Sequence, residues 1–119
     1  MKYLRLYCDQ DGVSRFEDLE FTFSRDDFAP PAPLLDVSNQ FDASAFVMIR
    51  LPAGWTDALH PAPARQFMLI VSGAVEVVAG GERRVLKMGD VLLAEDTSGA
   101  GHGTTALEEN TAVAVVRLV

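Results

Sequence analysis

The stretch 54-GWTDALHPAPARQFMLIVSG-73 sets His60, one of only two histidines in the chain, beside a Pro-Ala-Pro break and an apolar run. The run QFMLIVS is the length of a typical strand, and it is bounded by the turn residues Pro63 and Gly73. The stretch therefore predicts a largely buried strand that starts near Gln66, with His60 on the segment that leads into it.

Working outward, the rest of the chain after residue 43 consists of short Val- and Leu-rich segments separated by glycine-containing turns. This pattern is typical of an antiparallel sandwich or barrel. Gly80-Gly81, between AVEVVA and ERRVLK, predicts a two-residue hairpin, because both central residues of a type I′ turn need a positive φ. The segments KYLRLYC, RFEDLEFTF and SAFVMIRLP also predict strands, and no stretch predicts a long helix. We therefore expect an all-β fold.

The length of 119 residues suits one compact domain, which we expect to span residues 1–119. The stretch FAPPAPLLDVSNQFD, residues 28–42, holds three of the six prolines and predicts an extended, proline-rich arm rather than a second domain. The core that carries the motifs begins at about residue 43, after the N-terminal strands and this arm.

The formal net charge of −7 argues against binding to nucleic acid or to anionic membranes, since both need a basic patch. No window approaches the roughly 18 uncharged apolar residues of a transmembrane helix. The single cysteine, Cys8, cannot form an internal disulfide. These features predict a soluble, cytoplasmic protein.

Four residues of the opening stretch stand at the intervals of the first cupin motif: Gly54, His60, Gln66 and Gly73. That motif runs Gly, five residues, His-any-His, three or four residues, Glu, six residues, Gly. The segment GAVEVVAGGERRVLKMGDVLLA is similar to the hairpin between the two cupin motifs, and His102 lies where the second motif supplies its histidine. From residue 54 to about 106, the chain resembles a small single-domain cupin. The resemblance implies a double-stranded β-helix, a jelly-roll barrel around a pocket.

In such a barrel, alternate side chains of the strand that begins at Gln66 point into the lumen. Gln66, Met68 and Ile70 would then face inward, and Phe67, Leu69 and Val71 would face outward. The resemblance implies a pocket lined by His60, Gln66, Met68, His102 and Thr104.

Metal-binding cupins hold Fe, Mn, Ni, Zn or Cu with three histidines and one glutamate. Here Ala62 stands at the position of the second histidine and Gln66 at that of the glutamate. His60, Gln66 and His102 remain as tentative ligands for a divalent metal such as Zn, Ni, Fe or Mn. A carboxylate from Asp57, Glu95 or Asp96 could complete the set. The same residues could equally form hydrogen bonds to one another or to water with no metal bound.

Two classes of function follow. The first is a cupin that binds a small molecule in the barrel pocket and has little or no catalytic activity. The second is a metal-dependent cupin enzyme, of the dioxygenase or isomerase type, with His60 and His102 as ligands. The missing ligands favour the first class, and the sequence does not indicate a particular ligand or reaction.

The first strand and the proline-rich arm carry more apolar surface than an isolated arm can expose. The chain's own barrel or a second copy of the chain could cover it, and we expect the second copy, in a homodimer. The first strand would be an edge strand that adds to the sheet of a neighbouring copy. The apolar residues concerned are Tyr3, Leu4, Leu6, Tyr7, Phe28, Leu34 and Leu35.

Overall fold

The computed structural model describes all 119 residues. They form eleven strands and the loops between them, with no helix, which confirms the predicted all-β class. It therefore holds no helix able to cross a lipid bilayer. The strands are β1 (Lys2–Cys8), β2 (Ser14–Glu20), β3 (Phe23–Asp26), β4 (Leu35–Ser38), β5 (Ala43–Leu51), β6 (Gln66–Ser72), β7 (Ala74–Ala79), β8 (Glu82–Lys87), β9 (Val91–Ala94), β10 (Gly103–Ala106) and β11 (Thr111–Leu118).

The strands form two sheets that face each other and one small hairpin. The larger sheet has the order β2-β1-β9-β6-β11-β5, and the smaller sheet has the order β10-β7-β8. All neighbouring strands are antiparallel except β1 and β9, which are parallel. β3 and β4 pair only with each other. The non-sequential order of the larger sheet is that of a jelly roll.

An apolar core of twelve buried residues fills the space between the two sheets. It includes Leu6 and Leu92 from the larger sheet and Val77 and Leu86 from the smaller one. Burying a side chain of this size stabilises the fold by about 1.5–3 kcal/mol. The space between the sheets is therefore held mainly by aliphatic packing.

The alternation predicted for β6 is confirmed at its core positions. Ile70 belongs to the core between the sheets, and Met68 packs against that core. Phe67 lies on the other face, in a second cluster that Tyr3, Phe21 and Phe41 partly cover. A period of two residues along β6 thus separates the inner face from the outer face.

The predicted Gly80-Gly81 hairpin is also confirmed. The two glycines join β7 to β8 with φ values of 55° and 79°, as a type I′ turn requires. A Cβ atom at Gly80 would also lie 2.6 Å from the carbonyl oxygen of Ser14, at the start of β2.

The expectation that the first strand is an edge strand is wrong. β1 lies between β2 and β9, and its residues Leu4 and Leu6 are buried in the protein's own core. The edges of the larger sheet are β2 and β5 instead. Within the proline-rich arm, by contrast, Phe28, Leu34 and Leu35 are exposed.

Candidate functional site

The segment from Gly54 to His60 runs antiparallel along β10 and positions the site. His60 and His102 exchange two backbone hydrogen bonds of 3.0 Å, one from each N–H to the other residue's carbonyl oxygen. Residues paired in this way project their side chains to the same face. That face is the inner one, because Ala106, four residues beyond His102, belongs to the core. The two predicted histidines are therefore brought together, with ring centroids 5.5 Å apart.

Gly101 allows this close approach of the two segments. Its φ is 79°, and a Cβ atom at this position would lie 2.0 Å from the backbone carbonyl atoms of His60. Any side chain at residue 101 would push the two segments apart, so glycine is required here.

The first aspartate–histidine pair, Asp96 and His102, is buried. The Asp96 Oδ2 atom lies 2.7 Å from His102 Nδ1 and accepts a second hydrogen bond of 2.7 Å from the Ser14 hydroxyl. Because a carboxylate oxygen accepts, His102 Nδ1 carries the proton. The Nε2 atom of His102 makes no hydrogen bond to the protein, so this ring nitrogen is unengaged.

The second pair, Asp57 and His60, lies at the surface. His60 Nε2 is 2.8 Å from Asp57 Oδ2, and His60 Nδ1 is 2.9 Å from the Pro61 carbonyl oxygen. Both partners accept, so the two contacts are hydrogen bonds together only when both ring nitrogens carry a proton, as in an imidazolium. The hydrogen bonds to Pro61 and Asp57 outweigh partial burial and raise the pKa of His60 above its ordinary value. The backbone N–H of Thr104 donates to the other Asp57 oxygen, at 2.7 Å, and holds the carboxylate in place.

Gln66 begins β6 on the same face as Met68, and its backbone pairs with Ala94, two residues before Asp96. Its side chain is buried, and the Oε1 atom has no hydrogen-bond partner. The Oδ1 atom of Asp96 is also buried without a partner. Leaving such an acceptor unsatisfied costs about 1–3 kcal/mol. No hydrogen bond joins Gln66 to either histidine, so both buried acceptors lack a donor from the protein.

The two remaining predicted pocket residues lie on the inner faces of opposite sheets. Thr104 is half-buried on β10, two residues after His102 and therefore on its face. Met68 is half-buried and packs against the apolar core. Because that core occupies the space between the sheets, the polar groups collect at the end of the sandwich where the histidines lie.

Of the three candidate carboxylates, Glu95 does not reach the histidines. It accepts a hydrogen bond of 2.7 Å from Arg5 and a second one from Arg65. Burial alone would raise the pKa of Glu95, but the hydrogen bonds from Arg65 and Arg5 outweigh burial and lower it. Asp57 and Asp96 are the two carboxylates that accompany the histidines.

The residues at this site do not fit a divalent metal in their present arrangement. No group of three or more His, Cys, Asp or Glu side chains is placed to hold one. Both ring nitrogens of His60 are engaged, and Ala62, at the position of the second motif histidine, is buried and offers no side-chain donor. The unengaged ligand atoms are His102 Nε2, Gln66 Oε1 and Asp96 Oδ1.

Ser14 is the member of the site that sequence reasoning missed. It is fully buried and lies 82 positions from Asp96, with no motif around it. Only the pairing of β1 with both β2 and β9 brings these two residues into contact.

A separate cavity of about 400 Å³ lies on the outer face of the larger sheet, away from the histidines. Nine of its ten lining residues are hydrophobic. They include the outward-facing residues Phe67 and Leu69 of β6 and Phe21 and Phe41 from the N-terminal part of the chain.

Comparison with known proteins shows the fold. No protein-family model and no curated protein sequence matches the chain. KdgF from Halomonas sp. is a similar solved structure, with a TM-score of 0.55 and 24% identity over 80% of this chain and 86% of that one. A Cupin 2 conserved barrel domain protein from Salinispora arenicola has a TM-score of 0.51 and 18% identity over 93% of this chain and 78% of its own.

A conserved protein of unknown function from Streptococcus pyogenes also matches, with a TM-score of 0.51 and 20% identity over 67% of this chain and 68% of that one. Identities this low carry the fold and not an activity. The chain is a small cupin-fold protein, as the motif spacing indicated.

Proposed function

We propose that this cupin-fold protein binds a small molecule at the end of the sandwich where His60 and His102 meet. The observation that carries the proposal is the set of three acceptor atoms without a protein donor: His102 Nε2, Gln66 Oε1 and Asp96 Oδ1. Two of the three are fully buried, where an unsatisfied acceptor is costly. A ligand that donates hydrogen bonds would remove this cost.

The charges around the site favour a neutral ligand that carries several hydroxyl groups. Two carboxylates, Asp57 and Asp96, lie beside the two histidines, and the whole chain has a formal net charge of −7. An anionic ligand would be repelled by this field. Both N–H groups of His60 are already engaged, so it has none left to donate to a carboxylate. A small polyol or sugar could donate to the open acceptors without bringing negative charge.

The second class, a metal-dependent dioxygenase or isomerase with His60 and His102 as ligands, needs a rearrangement. His60 would have to leave Asp57 or Pro61 before either of its nitrogens could bind a metal. Zn, Ni, Fe or Mn would then find two histidines and one uncharged amide, a weak set for a divalent cation. The proposal therefore assigns binding and no reaction to this site.

The proposal also locates the protein in the cytoplasm. Its single cysteine, Cys8, forms no disulfide, which suits a reducing compartment.

Thermal-shift and calorimetric titrations test the proposal with neutral polyols and monosaccharides, the corresponding sugar acids, and Zn²⁺, Ni²⁺, Mn²⁺ and Fe²⁺. We expect at least one neutral polyhydroxylated compound to bind, and the matching acid to bind at least tenfold more weakly. The variant Gln66→Leu should lose binding at least tenfold without loss of stability, because it removes a buried acceptor that has no partner.

Gln40→Leu is the matched control, since Gln40 is an exposed glutamine outside the site. It should bind as the unaltered protein does. Binding that survives in Gln66→Leu would contradict the proposed site. Micromolar binding of a metal that both His60→Ala and His102→Ala abolish would replace the proposal with the enzyme class.

A further inference from the structure

We propose that strand β5 is the surface at which a second copy of this chain binds. β5 is an edge strand that pairs only with β11, so one row of its backbone N–H and C=O groups has no partner in the sheet. All eight residues from Ala43 to Arg50 are exposed. This set includes four consecutive large apolar side chains: Phe46 at 65%, Val47 at 49%, Met48 at 51% and Ile49 at 38% of their full exposure.

Both faces of β5 are apolar and both are uncovered. Val47 and Ile49 pair with the core residues Val115 and Val113, so they lie on the inner face. Phe46 and Met48 alternate with them and lie on the outer face. The inner side chains of β5 remain exposed because the smaller sheet has only three strands and the larger sheet has six. The smaller sheet therefore does not extend over β5, which lies at the edge of the larger one. A continuous apolar run is typical of a strand that is buried on both faces.

Among the other edge strands of the two sheets, β10 carries no charge but is covered by the segment from Gly54 to His60. β2 and β8 are protected by charge, and β5 is not. β2 carries four charged residues in seven and β8 carries four in six, whereas β5 carries only Arg50 in nine. Charged side chains on an edge strand oppose pairing with another chain. β5 is therefore the edge that is free to pair.

A second copy of the chain fits this surface better than another kind of partner. Two molecules with a formal net charge of −7 repel each other, and β5 is a stretch where they can approach with little repulsion because it carries no acidic residue. An antiparallel pair of β5 strands about a two-fold axis would be self-complementary. It would satisfy the free backbone groups and extend both sheets, which a small molecule cannot do.

The shape of the single chain agrees with this assembly. Its radius of gyration is 15.4 Å, whereas a compact chain of this length is expected to have about 13.5 Å. The proline-rich arm leads directly into β5 and exposes Phe28, Leu34 and Leu35. The arm is thus a second exposed apolar segment, and it directly precedes the proposed contact in the chain.

Light scattering coupled to size exclusion at about 50 µM tests the proposal. We expect twice the chain mass of 12.9 kDa. The double variant Val47→Glu/Met48→Glu places one charge on each face of β5 and should elute as a folded monomer. Val71→Glu/Val85→Glu is the matched control, because it adds the same two charges at comparably exposed valines on β6 and β8, and it should remain a dimer.

Hydrogen–deuterium exchange of the unaltered protein keeps the proposal testable if the double variant does not fold. The amides of residues 43–51 should exchange at least tenfold more slowly at 50 µM than at 0.5 µM, and those of β8 should not change. A monomer at 50 µM, exchange in β5 that is independent of concentration, or a dimer that survives the double variant would each overturn the proposal. So would a monomer that binds vesicles of neutral phosphatidylcholine through β5.

Discussion

The pair Asp96–His102 and the pair Asp57–His60 lie side by side, but their surroundings differ. The Asp96 and His102 side chains are 0% and 6% exposed, whereas those of Asp57 and His60 are 20% and 48% exposed. In the buried pair, one ring nitrogen is engaged and the other is open. In the surface pair, both ring nitrogens are engaged. The same two residue types thus leave one ring nitrogen unengaged in one place and engage both ring nitrogens in the other.

The two histidines differ because different hydrogen-bond partners lie next to their rings. His60 precedes Pro61, whose carbonyl oxygen accepts from Nδ1 and leaves Nε2 to face Asp57. His102 has Asp96 on its Nδ1 side, and the Ser14 hydroxyl donates a second hydrogen bond to the same carboxylate oxygen. Burial then makes every contact of the inner pair more costly to lose.

Replacing the two aspartates separately should give the largest contrast. Asp96→Ala leaves a buried imidazole and a buried hydroxyl without their shared acceptor, so we expect a loss of about 2–4 kcal/mol in the free energy of unfolding. Asp57→Ala removes the contact with the half-exposed His60 and the hydrogen bond from the Thr104 N–H, and should cost less, about 1–2 kcal/mol. Urea denaturation measures both. Equal losses of unfolding free energy in the two variants would show that burial does not make the Asp96–His102 pair contribute more to stability than the Asp57–His60 pair.

Removing only the Ser14 hydroxyl should have a smaller effect on the buried pair. Ser14→Ala deletes one hydrogen bond to Asp96 and should cost about 1–2 kcal/mol, because the remaining carboxylate oxygen is buried. Ser98→Ala, at an exposed position four residues after the end of β9, should be neutral. A neutral Ser14→Ala would mean that Asp96 does not depend on this donor.

The pH dependence of the surface pair should be the smallest of these effects. The folded protein raises the pKa of His60 above its ordinary value of 6.5. The stabilisation is therefore complete below pH 6.5 and is lost as the pH rises through the raised folded value. The difference in unfolding free energy between the unaltered protein and His60→Gln, measured from pH 5 to pH 9, should fall over this window. A difference that stays constant, or that falls below pH 6.5, would contradict the imidazolium.

The sequence predicted the features of the site that depend on local periodicity and motif spacing. Alternation placed Gln66 and Met68 on the inner face of β6, and the cupin spacing brought His60 and His102 together. The sequence could not predict that Ser14 belongs to the site, because its contact with Asp96 depends on the order of β2, β1 and β9 in the sheet.

The same reason explains the error over the first strand. Alternation in KYLRLYC indicates a strand but does not show what lies on either side of it. β1 pairs with β9, which begins at Val91, and this long-range pairing buries Leu4 and Leu6 within one chain. The edge strand without protecting charges is β5. Its apolar run predicted a strand, but did not indicate that the strand would lie exposed at the edge of the sheet.

The central claim is that His102 Nε2 is open to a ligand while His60 is fully engaged. Long-range ¹H–¹⁵N NMR spectra of the two imidazole rings test it most directly, recorded across the pH range with and without a neutral polyol that binds. We predict that neutral His102 carries its proton on Nδ1 and that its Nε2 resonance shifts when the polyol binds, while His60 keeps both nitrogens protonated above pH 6.5 and shows no comparable shift. A neutral His60 at pH 6.5 with an open nitrogen, or a His102 whose Nε2 resonance does not respond to the ligand, would contradict the claim.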